Sequence, residues 1–292
     1  MTTEAPQRQD RAYGLAGQFC DDLLDAARRI DTPCGAGKTV WHIWGRGLPL
    51  VLLHGGSGSW RHWARNIEAL AEHRMVLAAD LPGLGESDMP PEPYSPASVG
   101  ALVAQGLRQV LPGNVACDLV GFSFGALIAG HAAAAAPECL RSLTLVGAGA
   151  LGAPRAPIKL ERVRDKTGAA RRAAHRTNLE RLMIADPARV DELALDIQEW
   201  NSCHARLASL PFATSASLAE ALEKVPVPLG AIWGERDAPA APDLPGRIAA
   251  LHRVRPDAAV RIIPGAGHWV SYEAPEAFHA ALNDLLSGSS AP

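Results

Sequence analysis

Cys117-Asp118-Leu119-Val120-Gly121-Phe122-Ser123-Phe124-Gly125-Ala126-Leu127-Ile128 runs from the pattern of a buried strand, through Gly-Phe-Ser-Phe-Gly, into an alanine-rich helix. A serine between such a strand and such a helix sits on a sharp turn, and small residues on either side let the two elements pass closely. The turn lifts the hydroxyl above the sheet, and the first turn of the helix offers backbone N–H donors beneath it. A serine hydroxyl is a weak nucleophile and needs a base that an acid orients. In sites of this kind the chain order is nucleophile, acid, histidine.

Downstream, one histidine meets that requirement. His268, in Pro264-Gly265-Ala266-Gly267-His268-Trp269, follows a late strand, and the glycines before it let a loop carry the imidazole over the strand ends. His54 precedes two glycines and is expected to brace a loop, while His131 falls on the helix after Ser123. The acid is expected at Asp237, a short turn beyond the strand 229–233, with Glu235 as the alternative. Asp80, at the end of an early strand in Asp80-Leu81-Pro82-Gly83-Leu84-Gly85-Glu86-Ser87, reads as the hydrogen-bonding centre of a tight turn. Acyl transfer also needs donors for an oxyanion. The segment Leu53-His54-Gly55-Gly56-Ser57-Gly58-Ser59 is placed to supply them, and the amides of Gly56 and Phe124 are the expected pair.

Working outward, short apolar runs alternate with helical patterns. Strands are expected at 50–53, 75–79, 117–122 and 143–146, with helices at 60–72, 96–111 and 124–136. Fully apolar strands that alternate with helices predict an α/β fold with a mostly parallel, twisted sheet and helices on both faces. Between 155 and 224 the pattern holds helices and no strand, and sheet patterning resumes at 229–233 and 260–263. The expected organisation is an N-terminal extension (1–27), a core (28–152 and 225–287), an inserted helical lid (153–224) and a flexible tail (288–292). Residues 1–14 read as disordered, 15–29 as a short amphipathic helix, and Cys34-Gly35-Ala36-Gly37 as the turn of a hairpin.

Composition narrows the function classes. Lysine and arginine number 28 against 31 acidic residues, a formal charge of −3, which is not the basic footprint of a nucleic-acid binder. No run of about 18 apolar residues occurs and no signal-peptide pattern opens the chain, so no membrane partner and a cytoplasmic location are expected. The five cysteines lack metal-ligand spacing and read as reduced thiols. Gly37-Lys38-Thr39 resembles the end of a phosphate loop, but Thr32 stands where that loop needs a glycine. Neither a metal nor an organic cofactor is called for by this chemistry.

Taken together, the Leu-His-Gly-Gly segment, Asp80–Asp88, Gly121–Gly125, Trp233-Gly234-Glu235-Arg236-Asp237 and Gly265–Trp269 resemble the α/β-hydrolase superfamily in motif and order, across about residues 28–287. The resemblance implies the α/β-hydrolase fold, a small-molecule substrate and, as one assembly found in similar proteins, a homodimer. Two branches compete within it. Carbon–carbon bond hydrolases of aromatic ring-fission products share the His54–Ser59 segment, His268-Trp269 followed by Glu273, and the lid pairs Asn178-Leu179 and Asp186-Pro187. They usually carry asparagine before the nucleophile, where this chain has Phe122, which favours a carboxylic-ester hydrolase. They also grip a substrate carboxylate with a lid arginine, for which Arg172, Arg176, Arg181, Arg189 and Arg206 are candidates, with a solvated helix face as the alternative reading of the arginine-rich stretch 155–181. Ser57, Phe122, Trp269, Trp200 and Arg176 are the expected substrate contacts. Some proteins resembling this fold are ligand receptors that keep an intact triad, so a receptor is the alternative of another class.

Overall fold

The computed structural model describes residues 15–113, 115–155, 157–212, 215–241 and 243–288. The disorder expected for 1–14 and the end of the expected tail lie outside them. The elements in chain order are α1 (Leu15–Asp25), β1 (Arg28–Cys34), β2 (Gly37–Gly45), β3 (Leu48–Leu53), α2 (Ala64–Ala71), β4 (Arg74–Asp80), α3 (Pro96–Val110), β5 (Cys117–Phe122), α4 (Phe124–Ala135) and β6 (Leu140–Val146). Then follow α5 (Gly168–Leu182), α6 (Glu192–Cys203), α7 (Ser217–Leu222), β7 (Leu229–Gly234), α8 (Leu244–Val254), β8 (Ala259–Ile263), α9 (Val270–Glu273) and α10 (Pro275–Gly288).

The strands form one sheet of eight in the order β1-β2-β4-β3-β5-β6-β7-β8. The β1–β2 hairpin is antiparallel, β2 meets β4 antiparallel, and β4-β3-β5-β6-β7-β8 are parallel. Alternation along the buried strands divides the core in two. Val51 and Leu53 face one layer with Val103, Leu107 and Leu127, while Leu50 and Leu52 face the other with Trp63, Ile67 and Phe278. Each fully buried side chain of this size contributes about 1.5–3 kcal/mol of transfer free energy, so the strand runs alone specify which face goes where.

Local chemistry sets the helix ends. Ser95 caps α3 with a reciprocal box through Ser98, and Pro96 occupies the first turn, where its missing N–H costs nothing. The helix expected over 60–72 begins instead as a 3₁₀ turn, Trp60–Trp63, because Ser59 caps the Arg61 amide ahead of α2. Helix α10 continues through Gly288, the first residue of the expected tail. Gly37-Lys38-Thr39 lies in β2, not before a helix.

Between β6 and β7 the described residues contain helices and no strand. Helices α5 and α6 pack on each other and are cross-linked by charge. Arg172 reaches Glu192 and Asp196, and Arg171 reaches Glu199 at 2.6 Å. Among the contacts that join this insertion to the core, two charged ones reach α2 and α9. Arg65 pairs with Asp191, which also accepts the Tyr272 hydroxyl at 2.5 Å. The buried Glu273 carboxylate accepts the Ala185, Asp186 and Gly267 amides at 3.0, 2.8 and 2.7 Å.

Candidate active site

The parallel strands end on one edge of the sheet, and the loops that follow β3, β5, β6, β7 and β8 meet there. Ser123 sits between β5 and α4 with φ 53° and ψ −111°, a region that costs a non-glycine residue about 1–3 kcal/mol. Neighbouring glycines make that geometry attainable. A Cβ on Gly121 would stand 2.3 Å from the Gly125 carbonyl oxygen, and one on Gly125 2.3 Å from that of Leu53. The Ser123 amide is held by the Val146 carbonyl at 2.8 Å.

From the loop after β8, His268 brings Nε2 to 2.9 Å from Ser123 Oγ and Nδ1 to 2.8 Å from Asp237 Oδ2. If the serine hydroxyl donates to Nε2, the proton on the ring resides on Nδ1 and donates to Asp237. Asp237 is buried after β7 and its Oδ1 accepts the Ala240 amide at 3.0 Å. Glu235, the alternative acid, is engaged elsewhere, accepting the Gly265 amide at 2.8 Å.

The loop after β3 is gripped at Gly55 by two imidazoles. His54 Nδ1–H donates to the Gly55 carbonyl at 2.8 Å, while its Nε2 accepts the Leu81 amide at 2.9 Å. His62 Nδ1 accepts the Gly55 amide at 3.2 Å. Burial holds both imidazoles below the usual histidine range, His62 farther, with His54 and His268 adding to the effect on it. Both rings therefore stay neutral, as these bonds require. A trans peptide points its C=O and N–H in opposite directions. Pinning the Gly55 carbonyl thus sets the direction of the Gly56 N–H in the same peptide unit. Phe124 opens α4, so its amide has no partner within the helix.

A cavity of about 330 Å³ opens over these groups. Ser123, His268, Gly56, Ser57, Phe122 and Phe124 all line it. Trp269, Trp200 and Arg176, expected as substrate contacts, do not. Trp269 is fully buried and donates Nε1–H to the His62 carbonyl at 2.8 Å. Trp200 stacks on His204 at 3.7 Å and carries the Arg61 guanidinium at 3.6 Å. Arg176 donates to the Val190 carbonyl at 2.7 Å. None of the arginines named for carboxylate binding reaches the cavity; Arg155 and Arg247 do. Arg247 is spent on the carbonyls of Ala148, Pro154 and Pro239. Sequence patterning gave no means of separating Arg155 from its neighbours, because it lies in an irregular loop with no periodicity.

His42, Asp80 and Glu86 bring one ligand atom each within 4.8 Å of one another, outside the cavity. Protein donors already occupy the carboxylates: Asp80 accepts the Trp60 and Glu86 amides at 2.8 and 2.9 Å, and Glu86 pairs with Arg29 at 3.1 Å. Among the described residues no helix is long and apolar enough to cross a membrane.

Comparison with known proteins places these features in context. Residues 50–281 match the model of the alpha/beta hydrolase family. A dihydrolipoyllysine-residue acetyltransferase component of an acetoin cleaving system from Pseudomonas putida is 32% identical over 79% of this chain, which spans 61% of that protein's length. A 2-hydroxy-6-oxononadienedioate/2-hydroxy-6-oxononatrienedioate hydrolase from Paraburkholderia phymatum is 28% identical over 86% of this chain and 88% of its own. Among solved structures, a bacterial membrane phospholipase A superposes with a TM-score of 0.74 at 21% identity, covering 95% of this chain and 92% of that one.

Proposed function

The chain belongs to the alpha/beta hydrolase family, and on that premise we propose that it is a serine hydrolase cleaving a small carboxylic ester through an acyl-enzyme. The observation that carries this reading is the continuous line Ser123 Oγ, His268 Nε2, His268 Nδ1, Asp237 Oδ2, with both contacts below 3 Å (2.9 and 2.8 Å). His268 takes the Ser123 proton as Oγ attacks the ester carbonyl. Asp237 holds the ring and stabilises the imidazolium. The oxyanion is received by the amides of Gly56 and Phe124, whose donors a tetrahedral oxygen needs at about 2.7–3.1 Å. The imidazolium then protonates the departing alkoxide, and a water deprotonated by His268 releases the carboxylic acid and restores Ser123. The helical insertion serves as a lid over the cavity, and no metal or organic cofactor takes part.

A second reading, hydrolysis of a carbon–carbon bond in a 2-hydroxy-6-oxo-dienoate, has its own support. A relative named for that reaction aligns along nearly the whole chain (86%), and a guanidinium, Arg155, lines the cavity. Comparing kcat/KM for a short-chain aryl ester and a 2-hydroxy-6-oxo-dienoate, with Ser123→Ala as control, tests both. Faster ester cleavage, lost by about 10⁴-fold or more in Ser123→Ala, is expected. A strong preference for the dienoate would replace the ester reading, and turnover undiminished in Ser123→Ala would refute both.

A further inference from the structure

Ser209 belongs to the helical insertion, in the segment that follows α6, and it lines the cavity together with Ser123, Gly56 and Phe124. A Cβ on Gly56 would stand 2.2 Å from Ser209 Oγ and 3.6 Å from Phe124 Cβ. The hydroxyl therefore lies within about 4 Å of the Gly56 Cα, beside the two residues whose amides form the proposed oxyanion pair. The nucleophile borders the same spot, since a Cβ on the preceding Gly55 would stand 3.4 Å from Ser123 Cβ. Among the described residues the Ser209 hydroxyl has no hydrogen-bond partner, so its O–H is free to turn towards a ligand.

The backbone on either side of Ser209 is anchored to the core. Two residues before it, the Leu207 amide donates to the Gly83 carbonyl at 3.0 Å, and the Leu207 side chain is buried. The Arg206 guanidinium donates to the Gly85 carbonyl at 3.2 Å and also reaches that of Ser87. On the other side, the Ser209 carbonyl accepts the Phe212 amide at 3.2 Å, which closes the turn Leu210–Phe212. The Phe212 ring then stacks on that of Phe124, centroids 6.5 Å apart, next to the nucleophile in the chain. A hydroxyl held in this way needs little reordering to meet a ligand. Donors fixed ahead of the reaction are the ones that stabilise a developing oxyanion best.

We propose that Ser209 is a third oxyanion donor, supplied by the helical insertion, whose Oγ–H joins the Gly56 and Phe124 amides on the tetrahedral oxygen. This role rests on the serine-hydrolase reading above, which supplies the oxyanion. The hydroxyl keeps its proton throughout and forms no covalent bond. It donates one hydrogen bond, which is strongest once the carbonyl oxygen has become negative. The wall around it is largely apolar, with Phe122, Leu127, Leu182 and Met183, and such surroundings strengthen the bond further. An interaction of this kind favours the transition state over the bound ester, so Ser209 acts on kcat and not on KM. The insertion thereby becomes part of the catalytic machinery, because the oxyanion site is complete only where residues 206–212 lie over Gly56.

Steady-state kinetics on 4-nitrophenyl acetate and butyrate, with inhibition by 2-phenylethylboronic acid, test this. The boronate forms a tetrahedral adduct on Ser123, so it reads the donors even where an ester is a poor substrate. Ser209→Ala is expected to lower kcat about tenfold to hundredfold with KM held within about twofold, and to weaken boronate inhibition by a similar factor. Ser209→Thr keeps the hydroxyl and should recover part of both, and thermal midpoints report whether the fold is intact. Wild-type rates and boronate affinity in Ser209→Ala would overturn the proposal. A loss confined to KM would do the same, as would equal losses in the two variants with lowered midpoints, the mark of a packing role. Activity lost in Ser123→Ala but kept in Ser209→Ala removes the third donor and leaves the hydrolase reading standing. Turnover and boronate inhibition that survive Ser123→Ala would remove that reading itself.

Discussion

Gly55 is the residue on which the proposed oxyanion site turns, although neither its amide nor its carbonyl would touch a substrate. Its carbonyl is pinned by His54 and its amide by His62 at 3.2 Å, so the peptide carrying the Gly56 N–H cannot rotate without breaking a buried bond. Leaving such an amide unsatisfied costs about 1–3 kcal/mol. His62→Phe keeps a ring in place but removes the acceptor, and it is expected to lower kcat about ten- to hundredfold with little change in KM. His62→Asn can present Oδ1 where Nδ1 stood and should retain most of the rate. Equal losses in the two variants, read by steady-state kinetics, would show that His62 serves packing alone. Ser123, Asp237 and His268, which the structure brings into one hydrogen-bonded line, could be picked out in the sequence because each follows a strand end on a short turn with glycine nearby. The cavity wall was not. Trp200 and Trp269 sit close to informative motifs, yet aromatic type says nothing about which way a ring faces. Trp269 turns its indole to the His62 carbonyl, while Arg155 reaches the cavity from an irregular loop.

At the scale of elements, the segment bearing His268 and the helical insertion are one mechanical unit. The buried Glu273 of α9 accepts the Gly267 amide at 2.7 Å on one side and those of Ala185 and Asp186 on the other, and the Trp269 amide donates to the Met183 carbonyl at 2.7 Å. A carboxylate can accept all three amides, whereas a glutamine must turn its NH₂ towards at least one of them. Glu273→Gln is therefore expected to destabilise the protein by about 1–3 kcal/mol and to lower kcat by displacing His268. Denaturation midpoints and kcat check this, and a variant as stable and active as the wild type would contradict it. The sequence foretold the helical character of the insertion from its periodicity. The ties were hidden because Arg65–Asp191 and Glu273–Asp186 join residues far apart in the chain, and no local pattern records such a partnership.

Across the whole molecule, the two core layers follow from alternation in the buried strands; the parallel direction could be anticipated from apolar strands that alternate with helices, whereas the order of the strands rests on pairings between distant segments. The same burial creates a pH dependence. His42, His54, His62 and His175 are all held below 6.5 by burial, so their folded pKa lies under the unfolded one. As pH falls below about 6.5 the unfolded chain takes up protons that the folded one refuses, and stability declines. Each such group contributes up to about 1.4 kcal/mol per pH unit in that window. The carboxylates held low, Asp31, Glu138 and Asp257, lose their contribution only below about pH 4.5. A denaturation midpoint that falls between pH 6.5 and 5, with a shallower slope in His62→Asn, is expected; a midpoint flat over that range would contradict the assignment of neutral buried rings. The central claim, that Ser123 is an activated nucleophile, is tested most directly by covalent trapping with a fluorophosphonate read by intact-protein and peptide mass spectrometry. One adduct per chain on the Ser123 peptide, absent in Ser123→Ala and slowed in His268→Ala, is predicted, whereas no adduct on the wild-type protein, or the same adduct on Ser123→Ala, would contradict the account.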